Sequence, residues 1–179
     1  MSEEFKDLIA EMEKSLDQQL EDLDKAFMDN FNKKKLGFTL LDNRAKVPEY
    51  AYPTDSGFDL YCVDDCIVPS LDRAKIRTGV AFDIPYGFEI QVRPKSGLAD
   101  KFGLTVLNTP GTVDWGYTDE IMVIIFNTSK EDYHFKSGDK IAQAVLCPVQ
   151  RGDMVRLIEL DKIPSKDRGK NGFGSTGLK

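Results

Sequence analysis

Four polar loops and the terminal segment carry the residue types that chemistry needs. In AYPTDSGFDLY, Asp55 and Asp59 flank Gly57. One carboxylate there could orient a hydrated metal ion, although Asp-Ser-Gly is also ordinary turn chemistry. RPKSGLADKFGL gathers Arg93, Lys95, the Ser96 hydroxyl and the amides around Gly97, enough donors and positive charge to contact a phosphate chain. No P-loop accompanies them, and a strand ending in a polar turn accounts equally well for the stretch. LNTPGTVDWGYTDEIMVIIFN places Gly111, Asp114 and Gly116 in an expected hairpin whose second strand begins at Ile121. Asp114 held there could act as a general base toward water and Tyr117 could wall off a sugar or base, but Asp in a hairpin is commonplace. In SGDKIAQAVLCPV, Gln143 interrupts an apolar strand, and its amide needs a partner in backbone or ligand. The end, RGKNGFGSTGLK, spells G-x-G-x-x-G from Gly172 to Gly177. Only Leu178 and Lys179 follow, so no helix can receive a pyrophosphate, and a dinucleotide fold is excluded by position. A flexible polar tail is the plainer reading.

The totals bound what these loops can belong to. The 179 residues are 41% hydrophobic and 30% charged, enough for one ordinary domain plus an appendage. A net charge of -6 excludes a sequence-independent grip on nucleic acid or anionic membrane. A polyanionic ligand would have to meet local cations or a metal ion. The acidic N-terminus lacks the apolar core of a secretory signal, and the longest apolar stretches are strand-sized; a cytoplasmic location is expected. Three cysteines, Cys62, Cys66 and Cys147, argue against a disulfide framework. With His134 the only histidine, a zinc site lacks ligands. His134 reads as a surface or turn residue.

Two textures position the loops. Residues 2 to 35 hold no Pro or Gly, and Phe5, Ile9, Met12, Leu16, Leu20, Leu23, Phe27 and Phe31 form a helical stripe. Its spacing of 4, 3, 4, 4, 3, 4, 4 repeats every eleven residues, which suits a nearly straight or slightly right-handed assembly. A helix lying on its own domain and an intersubunit bundle are both open. After Gly37 come short β-patterned runs: Ile76 to Ile84, Phe88 to Val92, Ile121 to Phe126, Ile141 to Val149 and Met154 to Leu160. The expectation is a mainly β chain: an N-terminal amphipathic helical extension (1–35), a jelly-roll-like β-barrel (37–165) and a flexible C-terminal tail (166–179).

Taken in order, AYPTDSGFDLY, RPKSGLA, GTVDWGYTDE, GDKIAQ and RGKNGFGSTG closely resemble the five motifs of the trimeric dUTP pyrophosphatases, or dUTPases. The resemblance covers residues from about 38 to 179 and omits the helix. It implies a dUTPase β-barrel, a homotrimer with active sites shared between subunits, and Mg²⁺-assisted hydrolysis of dUTP to dUMP and pyrophosphate, lowering dUTP and supplying dUMP for thymidylate synthesis. By the same resemblance Asp114 would bind the deoxyribose 3'-hydroxyl and activate water, and Tyr117 would pack beneath the sugar. The hairpin backbone, with Asn108, Gly111 and Val113, would pair with uracil. Lys95, Ser96 and Gly97 would hold the phosphates, Gln143 the α-phosphate, and Asp59 would reach Mg²⁺ through coordinated water.

Also by resemblance, Arg168, Gly174, Ser175 and Thr176 would close over the γ-phosphate and Phe173 would stack on uracil. The chain departs from the common pattern in having Lys95 where many relatives carry Arg, which gives up a bidentate fork. It also has Thr118 and Asp119 where Arg-Gly is common. A dCTP deaminase of the same architecture is an alternative, as is a nucleotide-gated regulatory protein using the helix as its contact. No direct nucleic-acid or membrane partner is expected.

Overall fold

The computed structural model describes residue 9, residues 11–23 and residues 34–169. The chain divides into two compact units, Met1–Pro148 and Val149–Lys179. Residues 11–23 are helical (α1) and present their apolar stripe to solvent. No helix among the described residues is long and apolar enough to cross a membrane.

The β-rich part contains four small antiparallel sheets, in keeping with the jelly-roll-like expectation. β1 (Gly37–Leu40) pairs with β5 (Val80–Asp83), and β3 (Cys66–Val68) with β10 (Tyr133–Phe135). A three-stranded sheet runs β4 (Arg73–Arg77), β9 (Met122–Asn127), β7 (Leu104–Val106). The four-stranded sheet runs β2 (Phe58–Tyr61), β11 (Lys140–Pro148), β6 (Phe88–Arg93), β8 (Gly111–Val113). Alternation along these strands sends Leu60, Ile76, Val80, Ile90, Val123, Ile125 and Ile141 into one core. Cys62, Cys66 and Cys147 are all free thiols, and His134 sits exposed on β10 rather than in a turn.

Four readings of the sequence change. The run Ile76 to Ile84 is broken after Arg77: β4 stays with β9, whereas β5 crosses to β1. Thr78, Val80 and Phe82 remain buried through the crossing, so the alternation gave no sign of it. The break needs Gly79, at φ 68°, where a Cβ would stand 2.7 Å from the Ala45 Cβ and 2.8 Å from Val63 Cγ1. Second, Gly111 to Ile121 is not a hairpin. β8 pairs with β6 and β9 pairs with β4 and β7, so the Asp114 turn links two sheets; turn residues mark a reversal but not the strand that follows it.

Third, RPKSGLADKFGL contains a helix, α2 (Ser96–Phe102), closed by Gly103 at φ 65°. Its seven residues are too few to show a helical period. Fourth, Met154 to Leu160 forms no strand. Leu157 is 93% and Ile158 70% exposed, and no ladder partner for the run exists among the described residues.

Gly79→Ala should therefore destabilise the chain by about 2–4 kcal/mol, from the left-handed backbone and the close packing together. The urea midpoint reads this directly, and a midpoint equal to wild type would contradict the corner.

Candidate active site

The buried carboxylate of Asp59 organises the first of two clusters. On β2 it faces Gln143 of β11, which in turn faces Arg93 of β6. Asp59 is only 5% exposed, yet both its oxygens are bound: Lys95 Nζ donates to Oδ1, and Lys140 Nζ approaches Oδ2 at 2.6 Å. Burial pushes this carboxyl up, but the hydrogen bonds from Lys140 and Lys95 outweigh it and hold it below the usual carboxylate range. Two ammonium groups against one carboxylate leave local positive charge in an acidic chain.

Gln143 finds the partner its burial required. Its Nε2 donates to the Pro94 carbonyl at 2.8 Å. A Cβ on Gly57 would lie 2.8 Å from Gln143 Oε1, so Gly57 is what lets the amide sit beside the first loop. Pro94 leads directly to Lys95, the N-cap of α2. The first turn of that helix begins with Ser96 and Gly97, ahead of Leu98 and Ala99, whose amides donate to the Lys95 carbonyl. Ser96 and Gly97 are exposed, where amides at a helix start can meet anionic oxygens. Asp55 does not join them: its carboxylate accepts the Tyr52 amide at 3.0 Å and closes its own turn.

The second cluster is a cleft of about 320 Å³ lined by Lys75, Thr112, Val113, Asp114, Tyr117, Ile121 and Met122. Asp114 and Tyr117 are the ends of one turn, in which the Tyr117 amide donates to the Asp114 carbonyl at 3.0 Å. The Tyr117 hydroxyl donates to the Glu120 carbonyl at 2.9 Å, fixing the ring. Glu120 is itself buried and bridges the Gly79 corner, accepting from the Gly79 amide at 2.7 Å and Arg77 Nε at 3.1 Å. Asn108 rests against Gly111, where a Cβ would meet Asn108 Nδ2 at 3.1 Å.

The two clusters do not meet within one chain. From Gln143 to Asp114 the path crosses two strand spacings, β11 to β6 to β8, and runs four positions along β6. That separation is on the order of 16 Å between backbones, too great for both side chains to reach one phosphate. Arg168 lies in the second unit, exposed in a turn where the Gly169 amide donates to the Lys166 carbonyl at 2.8 Å. Phe173, Gly174, Ser175 and Thr176 lie outside the described residues.

The donor set bears on the metal. Among the described residues no three His, Cys, Asp or Glu side chains come together as a cage. Magnesium nevertheless needs only one or two carboxylates when phosphates supply the other ligands. Asp59 retains two of its four acceptor positions beside the ammonium contacts, which fits a metal held through its water ligands. Lys140 and Lys75 were not singled out from the sequence. Lys140 lies inside GDKIAQ, three residues before Gln143, and that proximity was the available signal; Lys75 enters only through the pairing of β4 with β9.

The dUTPase family model matches residues 43–177. A deoxyuridine 5'-triphosphate nucleotidohydrolase of Nautilia profundicola is 45% identical over 143 residues, spanning 80% of this chain and 99% of that protein. One from Helicobacter hepaticus is 47% identical over 138 residues, spanning 77% and 85%. Among solved structures, a dUTPase of Staphylococcus bacteriophage 80alpha with dUpNHpp is 25% identical, with a TM-score of 0.75 over 82% of this chain and 100% of that one. The dUTPase of phage phi11 of S. aureus, solved with a structural Mg(II) ion, shares the fold at a TM-score of 0.66 and 24% identity, over 72% of this chain and 98% of that one.

The Asp59 clamp predicts an acid response. A carboxyl whose folded pKa is lowered stabilises the chain above its ordinary pKa of about 3.9, and that stability is lost as pH falls through the folded value. Lys140→Met removes one cation and raises the folded value, so acid unfolding should begin at higher pH than in wild type. Melting temperatures taken from about pH 7 down to pH 3 would show the acid limb displaced upward; superimposable limbs would refute the clamp.

Proposed function

The chain belongs to the dUTPase family, and from that premise we propose that it hydrolyses dUTP to dUMP and pyrophosphate at sites built by more than one copy of itself. The observation that carries this reading is the cleft where Asp114, Tyr117 and the β8 backbone converge. The Asp114 carboxylate stands exposed on a pinned turn, free to accept a proton from water and a hydrogen bond from the sugar 3'-hydroxyl. The Tyr117 ring, tethered through its hydroxyl, forms the floor that a 2'-hydroxyl would strike. The backbone between Asn108 and Val113 offers main-chain donors and acceptors to the uracil edge, a recognition that rejects a 5-methyl group by shape.

In the step itself, oxygen of water bonds to the α-phosphorus as its proton passes to Asp114. The bond from the α-phosphorus to the bridging oxygen breaks, and pyrophosphate leaves. Gln143 holds the α-phosphate, while Ser96, the Gly97 amide and the Lys95 ammonium hold the oxygens beyond it. Asp59 would hold Mg²⁺ through coordinated water; the ion, when bound, supplies charge neutralisation of the triphosphate. Arg168, Phe173, Gly174, Ser175 and Thr176 would complete the enclosure from the tail and exclude water. Because Asp114 and Gln143 of one chain are too far apart, the nucleotide bridges the Asp114 cleft of one copy and the Asp59 cluster of another. A cyclic homotrimer satisfies this with three equal sites.

Purified protein with Mg²⁺ should release pyrophosphate from dUTP and not from UTP, dTTP or dCTP, and Asp114→Asn should lower kcat by about 10²–10⁴-fold. Ammonia released from dCTP would instead establish the deaminase alternative. The shared site has its own test. Asp114→Asn and Gln143→Ala chains, each inactive alone, should recover about a quarter of wild-type turnover when coexpressed in equal amounts, since random assembly leaves that share of sites intact. A coexpressed mixture as inactive as its parents would place the whole site within one chain.

A further inference from the structure

Catalysis leaves α1 unused, and its apolar stripe stands in water. Met12 is 65% exposed, Leu16 58%, Leu20 53% and Leu23 69%. A helix of this length is marginal on its own, so the stripe needs a cover.

Three observations identify that cover. The sequence continues the same stripe in both directions, from Phe5 to Phe31, without a break in the eleven-residue repeat. A globular groove reads a few anchors along one helix; an unbroken repeat keeps its seam aligned along another helix of equal period. Charge argues against a membrane surface. Residues 1–35 hold ten acidic and six basic side chains, whereas an interfacial membrane helix is rich in Lys and Arg. Finally, the Nautilia relative matches over 99% of its own length with only 143 residues, and the family match begins at residue 43. The helix is thus an addition to the domain, one for every copy in the assembly.

We infer that the α1 helices of the copies sharing active sites pack on one another along Ile9, Met12, Leu16, Leu20 and Leu23, as a parallel and nearly straight bundle. The inference rests on the multichain site proposed above, which tethers one such helix per copy to the same assembly and raises their effective concentration into the millimolar range. Cyclic symmetry makes the helices parallel.

Cross-linking of the full-length protein tests it. Leu16→Cys lies in the seam and Gln18→Cys about 200° around the helix, on the outer face. With wild type as the control for the native cysteines, mild oxidation should link Leu16→Cys chains into dimers at least about ten-fold faster than Gln18→Cys chains. Equal rates in a preparation that sizing shows to be multichain, and that hydrolyses dUTP, would overturn the bundle while leaving the shared site standing. An active monomer would overturn both. A second variant needs no cysteine: Leu16→Asp with Leu20→Asp should lose helical ellipticity at 222 nm while turnover stays within about two-fold of wild type. Undiminished ellipticity would show that the helix needs no cover, and the inference would fail.

Discussion

Everything about the site follows from the ladder between β11 and β6. Six register pairs, from Gln143 facing Arg93 to Pro148 facing Phe88, lock these strands side by side. β2 is thereby held against one flank and β8 against the other. Hydrogen-bonded strands cannot approach or separate by more than a fraction of their fixed spacing. The two clusters are therefore kept apart by the sheet itself: Asp59 and Gln143 on one side, Asp114 and Tyr117 on the other. The sheet makes each half rigid and at the same time forbids the halves from joining within the chain.

Rigidity at the second half comes from the Gly79 corner. Glu120 connects the Gly79 amide and the Arg77 guanidinium, and its own carbonyl receives the Tyr117 hydroxyl. The residue that fastens the sheet-to-sheet crossing thus also fixes the wall of the Asp114 cleft. A buried carboxylate with partners on both oxygens holds its geometry well, because losing either partner leaves charge uncompensated. The same principle operates at Asp59, where the partners on both oxygens are ammonium groups.

The legible part of this structure was the part written in short range. Turn chemistry at Asp55, Gly57 and Gly116, alternation in β6 and β11, and the out-of-place Gln143 could each be read locally, and the order of the five motifs tied them to one family. What escaped was partner choice. Alternation from Ile76 to Ile84 survives a change of sheet, because both sheets line the same core. The Asp114 turn identifies itself, but nothing near it says that β8 turns away from β9. Met154 to Leu160 has the texture of a strand and forms none. Lys140 was hidden for a related reason: a lysine at a strand start looks like ordinary surface charge until the register sets it opposite Tyr61, from where its ammonium reaches Asp59.

The spacing imposed by the four-stranded sheet also determines when this protein works. On the proposed shared site, a single chain owns only unmatched halves of it. On that proposal turnover begins with association, and specific activity would depend on concentration through mass action. Dilution below the assembly constant would switch such an enzyme off, and nucleotide bound across two chains would hold them together. Substrate would then be an assembly factor as well as a reactant.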